Sequence, residues 1–483
     1  MEVELALKKM KNGKAVGPDE IPAEVWKALG KEGIDLLWNL MKLIMEREEI
    51  PDDWRESTLI PIYKEKGDIQ SCENYRGIKL MSHTLKIFER ILNGRLRDEA
   101  QIGRQQLGFM RSLSTIDGIF SLRQTMEKYR EKQKVLHMVF IDLEKAYDRV
   151  PRQEAWRAMR ERKIPEKYIR VIQETYRNVT TKVRSTVGTT DCFDVRVGLH
   201  QGSALSPFLF NIVIDVLTEL VRGQPPWCIL YADDIILVAE SRQVLERTLE
   251  TWRAALEDRG LRISRTKTEY MTTDLEGDQR TTIQLRGREL KRVKHFKYLG
   301  SMVDEAGGME KEINHRIQCG WHNWRKVSGV ICDKRVPIKL KGKVHKSVVR
   351  PAMTYGLETA PLKKTEENKL DVNEMKMLRW MSGVTRRDKV KNEYIRGTVK
   401  VTQVSKKVQE ARLRWYGHLE RREEGHVARE VMGMEVLGTR RRGRPKTRWK
   451  DCINSDMREK GLNRRSTLNR NQWRRLIKNG DPE

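Results

Sequence analysis

Residues 226 to 240 read Pro-Trp-Cys-Ile-Leu-Tyr-Ala-Asp-Asp-Ile-Ile-Leu-Val-Ala-Glu, and two adjacent carboxylates, Asp233 and Asp234, separate two short apolar runs. Apolar runs of this length, flanked by turn and charge signals, predict buried β-strands. Burying an ionised carboxylate is costly unless it is paired, hydrogen-bonded or bound to a metal. The stretch therefore predicts a hairpin whose tight turn projects both acids from one edge of a hydrophobic sheet. Ordinary turn chemistry, with no further role for the two acids, is the alternative interpretation at this point.

The charge balance of the chain favours a polyanionic partner. The 483 residues include 96 Lys and Arg against 68 Asp and Glu, a formal net charge of +28. Such an excess favours nucleic acid first and an anionic membrane surface second. The longest apolar stretch, Phe208 to Val221, contains Asn211, Asp215 and Glu219. It is too short and too polar for a bilayer span, so we expect no membrane partner.

Cysteine usage and the N-terminus predict an intracellular protein, in the nucleus or the cytoplasm. The first residues form a charged amphipathic pattern without the apolar core of a signal peptide. No C-x-x-C pair is present, which argues against a disulfide scaffold or a zinc knuckle. The six cysteines are widely separated in the chain: Cys72, Cys192, Cys228, Cys319, Cys332 and Cys452.

The rest of the chain alternates helical and strand-like patterns until about Glu310, after which it is mostly helical. The short strands predicted after the acidic hairpin include one over Lys297 to Met302. Residues 401–483 contain 22 Lys and Arg against 11 Asp and Glu, a local net charge of +11. The stretch 440–450, RRRGRPKTRWK, fits phosphate neutralisation, a nuclear localisation signal or a merely solvated basic tail.

A second strand-terminal carboxylate changes the interpretation of the acidic hairpin. Val135 to Leu143 is a dense strand pattern that carries Asp142 at its end. Nucleotidyl transfer needs two divalent cations about 4 Å apart, which activate the attacking hydroxyl and neutralise the leaving pyrophosphate. Magnesium prefers oxygen ligands and retains several waters, so carboxylates on rigid strand ends suffice to hold it. Asp142 beside Asp233 and Asp234 would form such a site, although Asp142 alone is equally compatible with a strand-end cap.

Three ordered motifs resemble those of reverse transcriptases. FIDLEKAYD (residues 140–148) resembles the first metal-binding motif of that family, and YADD (231–234) resembles the second. Between them, GLHQGSALSPFLF (198–210) resembles the Gly-rich turn that leads into a helix beneath the primer and template. The variant is most similar to that of non-LTR retrotransposons (long interspersed elements) of the RTE/BovB type.

Further segments extend the resemblance over nearly the whole chain. GPDEIPAEVWK (17–27) and the run from IPIYKEKGD to FERIL (60–92) resemble fingers motifs, and GLRISRTKTEYM (260–271) and FKYLGSMV (296–303) resemble the motifs that close the palm. LRWYGHLER (413–421) and RRRGRPKTRWKDCI (440–453) resemble the C-terminal region of the same elements.

The resemblance implies a metal-binding triad of Asp142, Asp233 and Asp234, with the Leu143 carbonyl as an additional ligand. Tyr147 matches the steric gate, whose ring crowds a ribose 2′-hydroxyl and so favours dNTPs. A core tyrosine is the alternative interpretation of Tyr147.

The resemblance also implies nucleotide-binding roles for residues of the fingers and of the Gly-rich turn. Arg76, with either Lys64 or Lys66, matches the cations that grip the incoming triphosphate, although a solvated basic loop would have the same sequence. Gln201, followed by Gly202, matches a residue near the nucleotide sugar and the template.

Lys267 is the candidate general acid that would protonate pyrophosphate. A plain surface lysine is the alternative. Ser264 stands where the family usually has Asn, which puts the fine geometry near Lys267 in doubt but leaves the metal site intact.

The implied fold is an α+β right-hand polymerase with an antiparallel-sheet palm, helical fingers and a helical thumb. We expect an N-terminal fingers extension over 1–43, fingers and palm over 44–304, a thumb-like helical domain over 305–400 and a basic C-terminal extension over 401–483.

The implied activity is RNA-directed extension of a DNA 3′ end with dNTPs and Mg²⁺, with Mn²⁺ as an alternative ion. An RNA template and a DNA primer are the expected partners, and the sequence does not specify an oligomeric state. No endonuclease pattern is recognised, since Cys452, His418 and His426 lack the spacing of a Cys/His knuckle, so we expect the polymerase portion of an element. Two alternatives stay open: a catalytically silent, nucleic-acid-binding relic or domesticated copy, and an RNA polymerase or maturase on the same palm, which Tyr147 disfavours.

Overall fold

The computed structural model describes residues 1–65, 67–277, 281–440 and 447–481. Lys66, one of the two candidate triphosphate-binding lysines, and residues 441–446 of the basic stretch lie outside the described residues. Within the described ranges, no helix combines the length and the apolar character that a membrane span requires.

The helices of the first 260 residues flank two β-sheets. They are α1 (Glu2–Lys8), α2 (Ala23–Ala28), α3 (Gly30–Arg47), α4 (His83–Glu99), α5 (Thr115–Glu131), α6 (Ala146–Arg149), α7 (Arg152–Glu161), α8 (Glu166–Glu174), α9 (Ser206–Thr218) and α10 (Arg242–Glu257). The remaining helices are α11 (Glu310–Lys326), α12 (Ser328–Ile331), α13 (Ile338–Val344), α14 (Arg350–Thr354), α15 (Lys364–Met381), α16 (Asn392–Val399), α17 (Val404–Glu420), α18 (Val427–Gly433), α19 (Trp449–Glu459) and α20 (Arg470–Ile477).

The strands lie between residues 56 and 304. They are β1 (Glu56–Tyr63), β2 (Tyr75–Leu80), β3 (His137–Ile141), β4 (Thr180–Ser185), β5 (Gly188–Thr189), β6 (Phe193–Asp194), β7 (Cys228–Tyr231), β8 (Asp234–Ala239), β9 (Glu269–Thr272), β10 (Gln284–Leu285), β11 (Arg288–Glu289), β12 (Lys291–Arg292), β13 (His295–Tyr298) and β14 (Ser301–Asp304).

The palm is a five-stranded sheet in the order β12-β9-β3-β8-β7. All neighbours are antiparallel except β12 and β9. Both faces are buried because successive side chains of a strand point to opposite sides. In β3, Val139 and Ile141 enter one core, with helices α9 and α10, while Met138 and Phe140 enter a second core, with α5. The α+β right-hand fold expected from the sequence is confirmed.

The fingers contain a second sheet, in the order β2-β1-β4-β5, with β6 also paired to β4. Strands β1 and β2 form an antiparallel hairpin, and β1 pairs in parallel with β4, which comes more than a hundred residues later. The fingers sheet therefore depends on a strand supplied by the segment between two palm motifs.

The predicted strand over Lys297 to Met302 is wrong. The chain turns there, and β13 and β14 form a hairpin in which Tyr298 pairs with Ser301. Leu299 and Gly300, the two turn residues, have φ values of +46° and +82°. Positive φ at both positions is the requirement of the tight type I′ turn that suits a twisted hairpin.

The thumb region joins the C-terminal extension through a buried carboxylate. Glu374 of α15 is 0% exposed. It accepts hydrogen bonds from Arg350 at 2.7 and 2.9 Å, from Arg396 at 2.8 Å and from the backbone N–H of Val404 at 3.0 Å. Because Val404 is the first residue of α17, this one side chain ties three thumb helices to the start of the extension.

The basic C-terminal extension is a packed structure. Trp449 and Trp473, both at most 1% exposed, share a core with Phe120 of palm helix α5. The indole N–H of Trp473 donates to the Leu413 carbonyl at 3.0 Å, and that of Trp449 donates to the Glu358 carbonyl at 2.8 Å. The extension is therefore anchored on both the palm and the thumb region.

We expect the substitution Glu374→Gln to destabilise this junction by about 3–5 kcal/mol, because it leaves two buried arginines without their counter-charge. Hydrogen exchange of the amides of α15 and α17 in the full chain measures the change. Glu393→Gln, at an exposed position of α16, is the control. Equal exchange in the two variants would contradict the role assigned to Glu374.

Candidate active site

The register of the palm sheet brings the three predicted aspartates to one edge. Ile141 of β3 pairs with Ile235 of β8, so the next residue, Asp142, lies beside Asp234. Across the hairpin, Tyr231 pairs with Asp234, which leaves Asp233 in the two-residue turn. Carboxylates that are about ninety positions apart in the chain therefore meet at the end of adjacent strands.

A buried glutamine holds the shape of the acidic turn. Ala232 has a φ of +55°, a left-handed conformation that is uncommon for a residue with a Cβ atom. The Oε1 atom of Gln106, a residue only 1% exposed, accepts hydrogen bonds from the backbone N–H groups of Ala232 at 2.9 Å and Gly108 at 2.8 Å. The turn is thereby fixed from inside the protein.

The three carboxylates act on each other electrostatically. Although Asp234 is exposed, desolvation by the surrounding protein, together with the charges of Asp233 and Asp142, raises its pKa to about 6. Burial and the charge of Asp142 also raise the pKa of Asp233. Among the described residues, the three do not form a group in which all ligand atoms lie within 4.8 Å of one another. A bound cation would relieve this repulsion.

Lys267 lies at this edge. Its Nζ atom is 3.5 Å from Oδ1 of Asp142, an oxygen that has no hydrogen-bond partner among the described residues. The lysine side chain is 66% exposed, which leaves it free to reorient toward a bound ligand. The structure thus brings Lys267 to the aspartates, as the sequence predicts, while its chemical role stays a prediction.

The segment around Ser264 supports the strand that carries Asp142. The N–H of Ser264 donates to the Asp142 carbonyl at 2.8 Å, and the N–H of Glu144 donates to the Arg262 carbonyl at 2.9 Å. Leu143 is buried and forms an antiparallel bridge with Ile263. Ser264 thus supports the Asp142 strand through its backbone, and its side chain is buried.

Tyr147 lies beneath the acidic edge. Its ring stacks on Phe210 with 4.7 Å between the centroids, and its hydroxyl has no hydrogen-bond partner within the described part of the chain. Burial, with a contribution from the charge of Asp233, raises the pKa of the Tyr147 hydroxyl. The ring is thus packed against Phe210, and its hydroxyl lies within electrostatic range of Asp233.

The Gly-rich turn joins the palm to the fingers. Gly202 has a φ of +113°, and a Cβ atom there would lie 2.7 Å from the Lys79 carbonyl oxygen, so only glycine fits. The N–H of Lys79 donates to the Gln201 carbonyl at 2.9 Å, and the Gln201 side chain donates to Asp148 at 3.1 Å. Strand β2 of the fingers is therefore fixed against the Gly-rich turn, and the same turn contacts α6, the helix that carries Tyr147.

The fingers cations differ in their surroundings. Arg76 is exposed on β2, and its charge partly offsets the raised pKa of Asp233. Lys64 donates from Nζ to the Glu73 carbonyl at 2.7 Å, which closes the loop between β1 and β2. The structure thus brings Arg76 within electrostatic reach of the acids, whereas the contact it gives for Lys64 is with its own hairpin.

Sequence reasoning missed Lys79. This lysine is 8% exposed, its Nζ atom has no hydrogen-bond partner among the described residues, and burial lowers its pKa to about 8. In the palm, the charge of Arg152 also lowers the pKa of Lys79, whereas the charge of Asp148 raises it. The sequence signal that could have pointed to Lys79 is its position between two apolar residues of a strand-like run.

Comparison with known proteins agrees with this architecture. The family model described as "Reverse transcriptase (RNA-dependent DNA polymerase)" matches residues 62–303. The Pol polyprotein of the type-1 retrotransposable element R2 of Nasonia vitripennis is 25% identical over 319 residues, which cover 62% of this chain and 30% of that protein. The RNA-directed DNA polymerase from the mobile element jockey of Drosophila melanogaster is 23% identical over 403 residues, which cover 79% of this chain and 43% of that protein.

Among solved structures, apo telomerase from Candida tropicalis aligns with a TM-score of 0.41 and 12% sequence identity, over 82% of this chain and 71% of that one. The chain spans less than half the length of the curated relatives it matches first. Since the family model covers half of the sequence and includes all three aspartates, the chain belongs to the reverse transcriptase (RNA-dependent DNA polymerase) family, in the group found in non-LTR retrotransposons.

Proposed function

We propose that the chain is an RNA-directed DNA polymerase that extends a DNA 3′ end with dNTPs on an RNA template. The observation that carries the proposal is the β3–β8 register, which sets Asp142 beside the Asp233–Asp234 turn. The net charge of +28 supports a nucleic-acid partner.

Asp142, Asp233 and Asp234, with the Leu143 carbonyl, would hold Mg²⁺ or Mn²⁺. The raised pKa values of Asp233 and Asp234 fit this role, because a cation supplies the positive charge that crowded carboxylates lack. When bound, the ions would activate the primer hydroxyl and neutralise the leaving pyrophosphate.

The protein's own side chains would select and position the nucleotide. Tyr147, held by Phe210, would exclude a ribose 2′-hydroxyl, and Gln201 with Gly202 would line the sugar and template side. Arg76, together with Lys64 or Lys66, would bind the triphosphate. Lys267, next to Asp142, would donate a proton to the pyrophosphate.

We further propose membership of the RTE/BovB type. Its support is the set of fingers and C-terminal segments, such as GPDEIPAEVWK (17–27) and LRWYGHLER (413–421), that resemble that group. Whether the chain is of the RTE/BovB type does not change the polymerase activity that we expect or the experiment that tests this activity.

We expect Asp233→Asn to lower incorporation of labelled dTTP on poly(rA)/oligo(dT) with Mg²⁺ by at least about 10²-fold, because it removes a charge where the cations would bind. Asp258→Asn, at an exposed position just after α10, should retain activity. If the wild type, Asp233→Asn and Asp258→Asn all bound the template in a salt-sensitive way and none of them synthesised DNA, the catalytically silent alternative would be established instead.

We expect Tyr147→Ala to reduce discrimination of dNTPs over rNTPs by more than about tenfold, since the ring that excludes the 2′-hydroxyl is removed. The matched variant Tyr147→Phe keeps the ring and loses only a hydroxyl that has no hydrogen-bond partner among the residues that the structure describes. It should therefore discriminate like the wild type. Ratios of kcat/KM for dTTP and UTP on the same primed template decide the question, and unchanged selectivity in the alanine variant would exclude the gate.

A further inference from the structure

Three potential metal ligands from distant parts of the chain converge away from the catalytic aspartates. They are Asp117 near the start of palm helix α5, His418 near the end of α17 and His426 just before α18. One ligand atom from each lies within 4.8 Å of the other two. Palm and C-terminal extension therefore meet at a cluster of two imidazoles and one carboxylate.

Asp117 presents to the cluster one oxygen that accepts no hydrogen bond from the described part of the chain. The residue is 1% exposed, and its Oδ2 atom accepts hydrogen bonds from the backbone N–H and the hydroxyl of Ser114, both at 2.8 Å, as a helix cap. Its Oδ1 atom has no hydrogen-bond partner among the described residues and lies 3.3 Å from Nε2 of His426. A buried carboxylate oxygen without a donor is costly, so the site favours a positive ligand there.

The imidazoles are suited to metal ligation. His426 is 10% exposed, and neither of its ring nitrogens has a hydrogen-bond partner in the described part of the chain. Burial, with the charge of Arg422, lowers the pKa values of His418 and His426 to about 4. Both rings are therefore neutral near pH 7, with a nitrogen lone pair available for a metal.

The position of Arg422 favours a transition metal such as Zn²⁺ over Mg²⁺ at this cluster. Its Nε atom donates to Nε2 of His418 at 3.1 Å, so a metal at that nitrogen would displace this hydrogen bond. The arginine charge also opposes a cation held by charge alone, such as Mg²⁺. Nitrogen ligands bind Zn²⁺ and similar transition metals more strongly than Mg²⁺, and two His with one carboxylate and a water is a known zinc ligand set.

We propose that Asp117, His418 and His426 form a Zn²⁺ site that fastens the C-terminal extension to the palm. The neighbouring contacts fit a fastening role: Lys128 of α5 donates from Nζ to the carbonyls of Met432 and Met434 at 2.9 and 2.7 Å. Since α5 also packs on the palm sheet, an ion here would hold α17 and α18 against the domain that carries the aspartates. The site does not depend on the polymerase activity.

The test uses the full chain, stripped of metal with a chelator and titrated with Zn²⁺ against a chromophoric competitor in excess Mg²⁺. We expect one Zn²⁺ per chain, with affinity at least about tenfold weaker in His418→Gln and in His426→Gln. His322→Gln, at an exposed histidine of α11, and Asp233→Asn should bind like the wild type. Equal zinc affinity in all five proteins would overturn the site.

Two further measurements separate ligation from misfolding. Co²⁺ added to the wild-type chain should give the visible spectrum of a tetrahedral nitrogen and oxygen site, absent in either glutamine variant whose circular dichroism matches that of the wild type. Zn²⁺ should also slow hydrogen exchange in α17 and α18 of the wild type but not of the variants. A wild-type chain without the cobalt spectrum, or with unchanged exchange on adding zinc, would contradict the proposal.

Discussion

The antiparallel pairing of β3 with β8 determines where the three aspartates stand. Both faces of these strands are apolar and buried, so alternation of polarity alone does not specify the register. The carboxylates supply a second constraint: a slip that drew Asp142 alongside Ile235 would carry an acid into the dry part of the sheet, at a cost of several kcal/mol. The same charges that suit a metal site therefore also help to hold the strands in the register that creates it.

The Gly-rich turn is held in place by backbone hydrogen bonds to two separate segments of the chain. The Gly-rich turn reaches the fingers through the hydrogen bond from Lys79 to the Gln201 carbonyl and reaches the palm through the bond from Leu199 to the Tyr147 carbonyl at 2.8 Å. Gly202 permits this approach because it has no Cβ atom. Tyr147 is thus positioned by the backbone on one side and by Phe210 on the other.

The palm was predictable from the sequence because its signals are local. The strands around Asp142 and Asp233 are short apolar runs ending in acids, and family motifs supply their relative order. Other features depend on tertiary contacts that no local pattern records. Residues Leu299–Gly300 lie inside a strand-like run, yet both take positive φ, and the lysine-rich loop after β1 gives no indication that Lys64 is bonded to its own hairpin.

The C-terminal extension shows why charge is a poor guide to burial. A merely solvated basic tail was one interpretation of residues 440–450, yet Trp449 and Trp473 are buried in a packed core, and Arg412 beside that core is only 2% exposed. His418 and His426 lack the spacing of a zinc knuckle because the third member of their cluster, Asp117, comes from a helix some three hundred positions earlier. Ligand-spacing rules apply to sites built within one segment, whereas this cluster exists only after the extension docks.

Helix α5 connects the palm, the thumb region and the extension through charged groups. Arg123 is 9% exposed and donates to the Gly356 carbonyl at 3.0 Å, to Thr359 at 2.8 Å and to Ser301 at 2.9 Å. Moving the thumb region away from α5 would take the Gly356 and Thr359 acceptors from this buried guanidinium and leave it those of Ser301 and Met302. Separating α5 from the thumb region would therefore cost free energy unless other groups replaced these acceptors, and the C-terminal extension packs on the same helix.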